Sequence, residues 1–212
     1  ASFVFMKPYR LSLLEDKIRQ ISQPKSGTSG AFDPMVIKIF LESTIHIFYT
    51  LAQMNIEAGK PFLKSGNKAS QAVSAVIGLS SFQIRGAMSI SLDKSILKRF
   101  LTNILGTNAR QDEGYLNDIC GEIANQVLGR AKQQFLKKKN MNFEITVPMV
   151  LSGPEHILDY KLSAPVLVIP FTYEKKQTIY VEFSLVLNNE SDLFFDNDKV
   201  EVAIEEGELI LF

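Results

Sequence analysis

Between Asp112 and Lys139 the apolar residues recur on a helical period, and no proline interrupts them. At about 100° per residue, Leu116, Cys120, Ile123, Val127, Ala131 and Phe135 fall on one broad apolar arc. A helix of this length must bury that arc, so the rest of the chain has to supply a surface for it. Cys120 lies inside the arc, which makes it a structural cysteine rather than a reactive one. Asp118, Glu122, Asn125 and Gly129 fall within about 60° of each other on the opposite side. An idle solvated face would more naturally carry Lys, Glu, Gln or Ala, because Asn and Gly are poor helix formers. Gly129 also removes a side chain from the stripe, which lets a partner's backbone come close.

The remaining patterns supply the surface. Asp33-Pro34 is a helix start, with Asp33 as cap, and the apolar period predicts a helix running from there to near Gly59. Residues 70–93 read as two strands turning near Leu79 to Ser81. Asp93 then caps a short helix that Gly106 ends. "MNFEITVPMVLSG" reads as one strand, and "APVLVIPFTYEKKQTIYVEFSLVLN" as a hairpin turning at Glu174 to Gln177. Short turns between strands predict an α+β fold, with long helices packed on a mostly antiparallel β-sheet. Three segments are expected: 1–32 as an N-terminal extension and linker, 33–188 as the main domain, and 189–212 as a C-terminal β extension. Within the extensions, "SFVFM" reads as a strand, "RLSLLEDKIRQIS" as a helix and "KVEVAIEEGELILF" as a hairpin. "NNESDLFFDNDK" reads as a solvated acidic loop.

Lys+Arg and Asp+Glu balance at 23 each, so no whole-chain field attracts nucleic acid or anionic lipid. Lys137, Lys138 and Lys139 sit at a helix end, where cations complement the carbonyl dipole. No apolar run approaches the roughly 20 residues that cross a bilayer, and the first ten residues lack the plan of a secretion signal. One cysteine forms no internal disulfide. A cytoplasmic setting is the expectation, with neither a membrane nor a nucleic-acid partner. His46 and His156 are unaccompanied in sequence and read as structural or surface residues.

The pattern Asp118-x3-Glu122-x2-Asn125, then 22 residues, then Pro148, resembles the motif of the CheC/CheX/FliY phosphatases. "TVPMVLSG" and "AGKPF" are similar to CheX segments, and the order of elements agrees over about residues 33–188. The CheC type repeats the motif on its first long helix. Here that helix has Glu42, but Lys38 and Ile45 stand at the flanking motif positions, so the chain resembles CheX. The resemblance implies a CheC-like fold and a homodimer formed through sheet edges, with the strands after Pro148 as candidate edges.

It also implies a protein-aspartate phosphatase acting on a phosphorylated CheY-like response regulator in chemotaxis. Asn125 would enter the regulator's active site to orient the hydrolytic water, and Glu122 would pair with the regulator's lysine. Asp118 would add a polar contact, Gly129 would permit close approach, and Pro148 would shape the neighbouring strand. The chain would hold no cofactor of its own, with Mg2+ in the partner regulator. The competing expectation is a non-catalytic CheX-like module that docks a response regulator or a flagellar motor component.

Overall fold

The computed structural model describes residues 33–66, 69, 71–153 and 156–187. The strand, helix, hairpin and acidic loop expected in 1–32 and 188–212 lie outside the described residues. Helix α1 spans Pro34–Ala52, where Asp33 Oδ1 accepts from the Met35 amide at 2.7 Å. It ends earlier than the expected Gly59. Gln53 adopts a left-handed conformation (φ 52°) and donates to the Tyr49 carbonyl at 2.9 Å. Met54 and Ile56 continue the apolar pattern, yet both reach the core from beyond the helix, Ile56 from strand β1 (Ile56–Ala58).

Strands β2 (Phe62–Leu63), β3 (Val73–Ser80) and β4 (Ile84–Leu92) follow, then α2 (Lys94–Leu105) and α3 (Glu113–Lys139). The second half adds β5 (Glu144–Ile145), β6 (Met149–Ser152), β7 (Leu167–Tyr173) and β8 (Gln177–Leu187). All eight strands join one sheet in the order β1-β7-β8-β4-β3-β5, with β2 also on β7 and β6 also on β3. Every pairing is antiparallel. The fold is therefore the expected α+β arrangement. Of the strands after Pro148, β7 and β8 lie inside the sheet and only β6 stands at an edge. The expectation of edges there is corrected to that one strand.

The single strand expected over "MNFEITVPMVLSG" is two strands with a bulge between them. From Leu79↔Ile145 to Val76↔Met149, β3 advances three residues while its partner advances four. Thr146 bridges the gap, its amide donating to the Gly78 carbonyl at 3.0 Å and its hydroxyl accepting from the Gly78 amide at 2.9 Å. The same slip separates Ala58↔Phe171 from Phe62↔Val168. The two halves thus repeat one plan: a long helix with a left-handed cap, a bulged pair of short strands, then a hairpin. Gln53 and Asn140, Pro61 and Pro148, and Phe62 and Met149 all stand 87 positions apart.

The helices cover one sheet face. Phe40 of α1 stacks on Phe183 of β8 (4.2 Å between centroids, 20°) and meets Phe135 of α3 edge-on at 5.9 Å. Phe135 in turn meets Phe143 edge-on at 5.5 Å. By length and composition α1 is long and apolar enough to cross a bilayer, which corrects the expectation that no run approaches that length. Lys38 and Glu42 interrupt α1 without offsetting its Ile and Phe content, and most of that apolar surface is buried in the core.

The other sheet face is polar and partly covered by the chain after β6. Ser74 and Ser91 hydrogen-bond at 2.7 Å, and Tyr160 Oη meets Ser89 Oγ at 2.6 Å. Glu182, fully buried, accepts from Lys64 Nζ at 2.5 Å and from Tyr160 Oη at 3.3 Å. Burial and the Glu182 carboxylate push the Tyr160 phenol well up. His156 Nδ1 lies 3.1 Å from the Gly153 carbonyl, which can only accept. Nδ1 therefore donates to that carbonyl, and Nε2 lies within hydrogen-bond distance of Ser74 Oγ at 2.7 Å. His156 is structural, as expected.

Phe40→Ala removes a buried ring from the junction of α1, α3 and β8. It should lower unfolding stability by about 3–5 kcal/mol, read as a fall in the urea midpoint with unchanged slope.

Candidate functional site

Helix α3 begins where the sequence placed it. Asp112 Oδ1 accepts from the Tyr115 amide at 3.1 Å, and that bond is the main reason its carboxyl sits below the usual range. At the far end, Lys138 pairs with Glu42 at 3.3 Å and Lys139 pairs with Asp33. Both ion pairs tie the last turn of α3 to α1. The expected arc is buried: Leu116, Cys120, Ile123, Val127, Ala131 and Phe135 all face the core. Burial pushes the Cys120 thiol up to about 12, so it stays a neutral packing group at neutral pH.

With that arc buried, the stripe faces outward. Asp118 and Glu122 are exposed, and Asn125 and Gly129 are half-buried. Glu122 Oε1 accepts from Gln126 Nε2 at 2.6 Å, a contact one turn along that the sequence reading did not single out. Among the described residues, no side-chain hydrogen bond reaches the Asn125 carboxamide. A Cβ placed on Gly129 would meet nothing within 4 Å. The fold itself does not require a glycine there.

Gly121 is different, and sequence reading missed it. A Cβ there would stand 3.3 Å from Val150 Cγ2 and 3.6 Å from Pro148 Cβ. Pro148 lies in the bulge between β5 and β6, so the bulge presses on α3 one residue before Glu122. Lys132 of α3 also pairs with Glu144 of β5 at 3.3 Å. The signal available in sequence was a glycine next to Glu122, on the flank of the stripe. Pro148 is thus brought to the motif helix as a neighbour of its backbone at Gly121.

Helix α2 borders the stripe's other flank. Leu101, Ile104 and Leu105 of α2 and Tyr115, Asp118, Ile119 and Glu122 of α3 line a shallow groove of about 310 Å³. His46 lies on α1, where burial and then the Arg130 guanidinium hold it below its ordinary range. Among the described residues, no group of three or more His, Cys, Asp or Glu side chains could hold a metal ion.

These features define a class: an α+β module that presents an acid–amide stripe on a helix surface. Residues 73–172, which include the stripe and Pro148, match the family described as chemotaxis phosphatase CheX. The chain is 31% identical to a CheC-like superfamily protein from Shewanella sp. PV-4, covering 72% of this chain and 97% of that one at TM-score 0.64. It is 29% identical to the chemotaxis protein CheX from Vibrio vulnificus, covering 71% and 99% at TM-score 0.63. The CheX of Borrelia burgdorferi, solved in complex with CheY, BeF3 and Mg2+, shares the fold at 24% identity, 71% and 97% coverage and TM-score 0.59. No curated protein gives a significant match. The chain belongs to the CheX branch of the CheC-like chemotaxis proteins.

Because the space beside Gly129 is open, Gly129→Ala should stabilise α3. The gain should be about 1 kcal/mol from helix propensity alone, measured by chemical denaturation of the two proteins side by side.

Proposed function

We propose that this chain dephosphorylates the aspartyl-phosphate of a CheY-type receiver domain by presenting α3 to the receiver's active site. One observation carries the reading: Asp118, Glu122, Asn125 and Gly129 share one outward stripe on a helix whose other side is fixed in the core. Membership in a chemotaxis phosphatase family supports the reaction class. The complex of the Borrelia CheX with CheY supports the partner class.

In this reading a water oxygen attacks phosphorus, and the bond from phosphorus to the aspartyl oxygen breaks. The products are inorganic phosphate and the free carboxylate. Such a transfer depends on positioning and charge neutralisation rather than covalent help. The Asn125 carboxamide offers a donor and an acceptor without titrating, which suits it to hold the water in line. Glu122 docks on the receiver's lysine, and Gln126 keeps the carboxylate from swinging away beforehand. Asp118 adds a polar contact one turn back, and the open space at Gly129 admits the partner's backbone. Mg2+ belongs to the receiver, as the metal-containing Borrelia complex supports. Pro148 and Gly121 set the position of α3 against the sheet.

Residues 33–188 form the phosphatase domain in this proposal, with 1–32 and 189–212 as extensions. A homodimer forms through the exposed edge at β6, and the setting is cytoplasmic. The non-catalytic docking module uses the same stripe and is separated from this reading by the rate of phosphate release.

Asn125→Ala should slow receiver dephosphorylation by about 100-fold with the fold intact. Glu122→Ala should raise KM by about tenfold, the expected effect of losing an interfacial ion pair. Both are read from decay of phosphorylated receiver at several concentrations, with circular dichroism as the folding control. Undiminished acceleration by Asn125→Ala would falsify the assignment.

A further inference from the structure

We infer that the apolar groove between α2 and α3 is a second contact for the same receiver domain, holding an apolar side chain flanked by a basic residue. This inference rests on the phosphatase reading above. The groove is continuous with the proposed site, because Asp118 and Glu122 line it and also belong to the stripe. Its lining is mostly apolar: Ile104 is 41% exposed and Leu105 54% exposed, beside Leu101 and Ile119. Apolar side chains beside two carboxylates disfavour an acidic or phosphorylated ligand. It suits a hydrophobic side chain whose neighbour is cationic.

The size of an interface argues in the same direction. A specific protein contact buries about 800 Å² on each partner, far more than three or four side chains on one helix supply. A folded receiver seated on Asn125 must therefore cover surface beyond the stripe. The bulge at Pro148 bounds one flank, and the groove is the apolar surface on the other. The groove is held in place before docking. Lys94 pairs with Glu113 across the starts of α2 and α3, and Gln111 Nε2 donates to Thr102 Oγ1 at 3.2 Å. The guanidinium of Arg110 also lies over the Tyr115 ring at 5.8 Å. In this arrangement the stripe supplies the chemistry, while the groove supplies affinity and selects among receiver domains.

The test uses the full chain with Leu105→Ser and Ile104→Ser, both at exposed positions, against a CheY-type receiver from the same host. Turnover of the phosphorylated receiver gives kcat and KM. Titration with the receiver charged with beryllofluoride and Mg2+ gives affinity. Each variant should raise KM and Kd by about tenfold, with the loss falling on KM rather than kcat, and Leu105→Met should restore most of the affinity. Unchanged KM and Kd in both serine variants, with Asn125→Ala still slowed by about 100-fold, would overturn the groove and leave the phosphatase reading standing. A wild-type chain that fails to accelerate phosphate release overturns that reading itself. Loss of self-association in the serine variants would instead assign the groove to a second copy of the chain. A gain in kcat/KM would assign it to residues 1–32 as an internal occupant.

Discussion

The packing of Phe40 between Phe183 and Phe135 is the contact on which the rest depends. It is the place where the sheet, α1 and α3 meet, and each ring is fully or almost fully buried. A helix in such contact has little freedom to rotate about its axis. A slip of one residue turns it by about 100°, which would drive Asp118 and Glu122 toward the core and bring apolar residues out. Unpaired burial of either carboxylate would cost several kcal/mol. The buried arc therefore fixes the direction in which the stripe points.

The repeated plan of the two halves explains why the stripe occurs once. Carried back by the 87 positions that relate the caps, the bulge prolines and the short strands, Glu122 falls on Met35 and Asn125 on Lys38. Asp118 falls before the start of α1 at Pro34. The first-half helix is thus too short at its N-terminus to carry the whole motif, and neither motif residue stands where the repeat would put it. On this register the position equivalent to the motif lies at Met35 and Lys38 rather than around Glu42. The structural register, set by strand pairing, is the better guide because helix periodicity tolerates shifts of three or four residues.

Much of this was legible in sequence where one local signal dominated. Asp33 and Asp93 each cap the helix they were expected to cap, and α3 starts beside Asp112 as the apolar period placed it. The turn at Glu174 likewise joins β7 to β8. The buried and exposed sides of α3 followed from a 3.6-residue period alone. Illegible features depended on partners distant in sequence. Met54 and Ile56 extend an apolar pattern through a break made by the backbone at Gln53. The bulge at Pro148 exists only in the register against β3. Glu182 looks like a solvent-facing strand residue until Lys64 and Tyr160, both remote in the chain, are found beside it. Gly121 resembled any helix glycine because Val150 and Pro148 reach it from another element.

A site on an open helix face poses a problem that an enclosed pocket does not. In an enclosed pocket the walls exclude water and select the ligand, whereas Asn125 and Glu122 stand on an open helix face, with only a shallow groove beside Glu122. In the proposed mechanism the receiver provides the pocket, and this chain provides one amide and one carboxylate at a fixed spacing. Precision then depends on how firmly α3 is held, which is the service of the aromatic junction, the Pro148 contact and the ion pairs at its last turn. Selectivity depends on what the receiver touches outside the stripe. Helix α3 can carry poor helix formers such as Asn125 and Gly129 in its middle because tertiary packing, rather than intrinsic propensity, stabilises it.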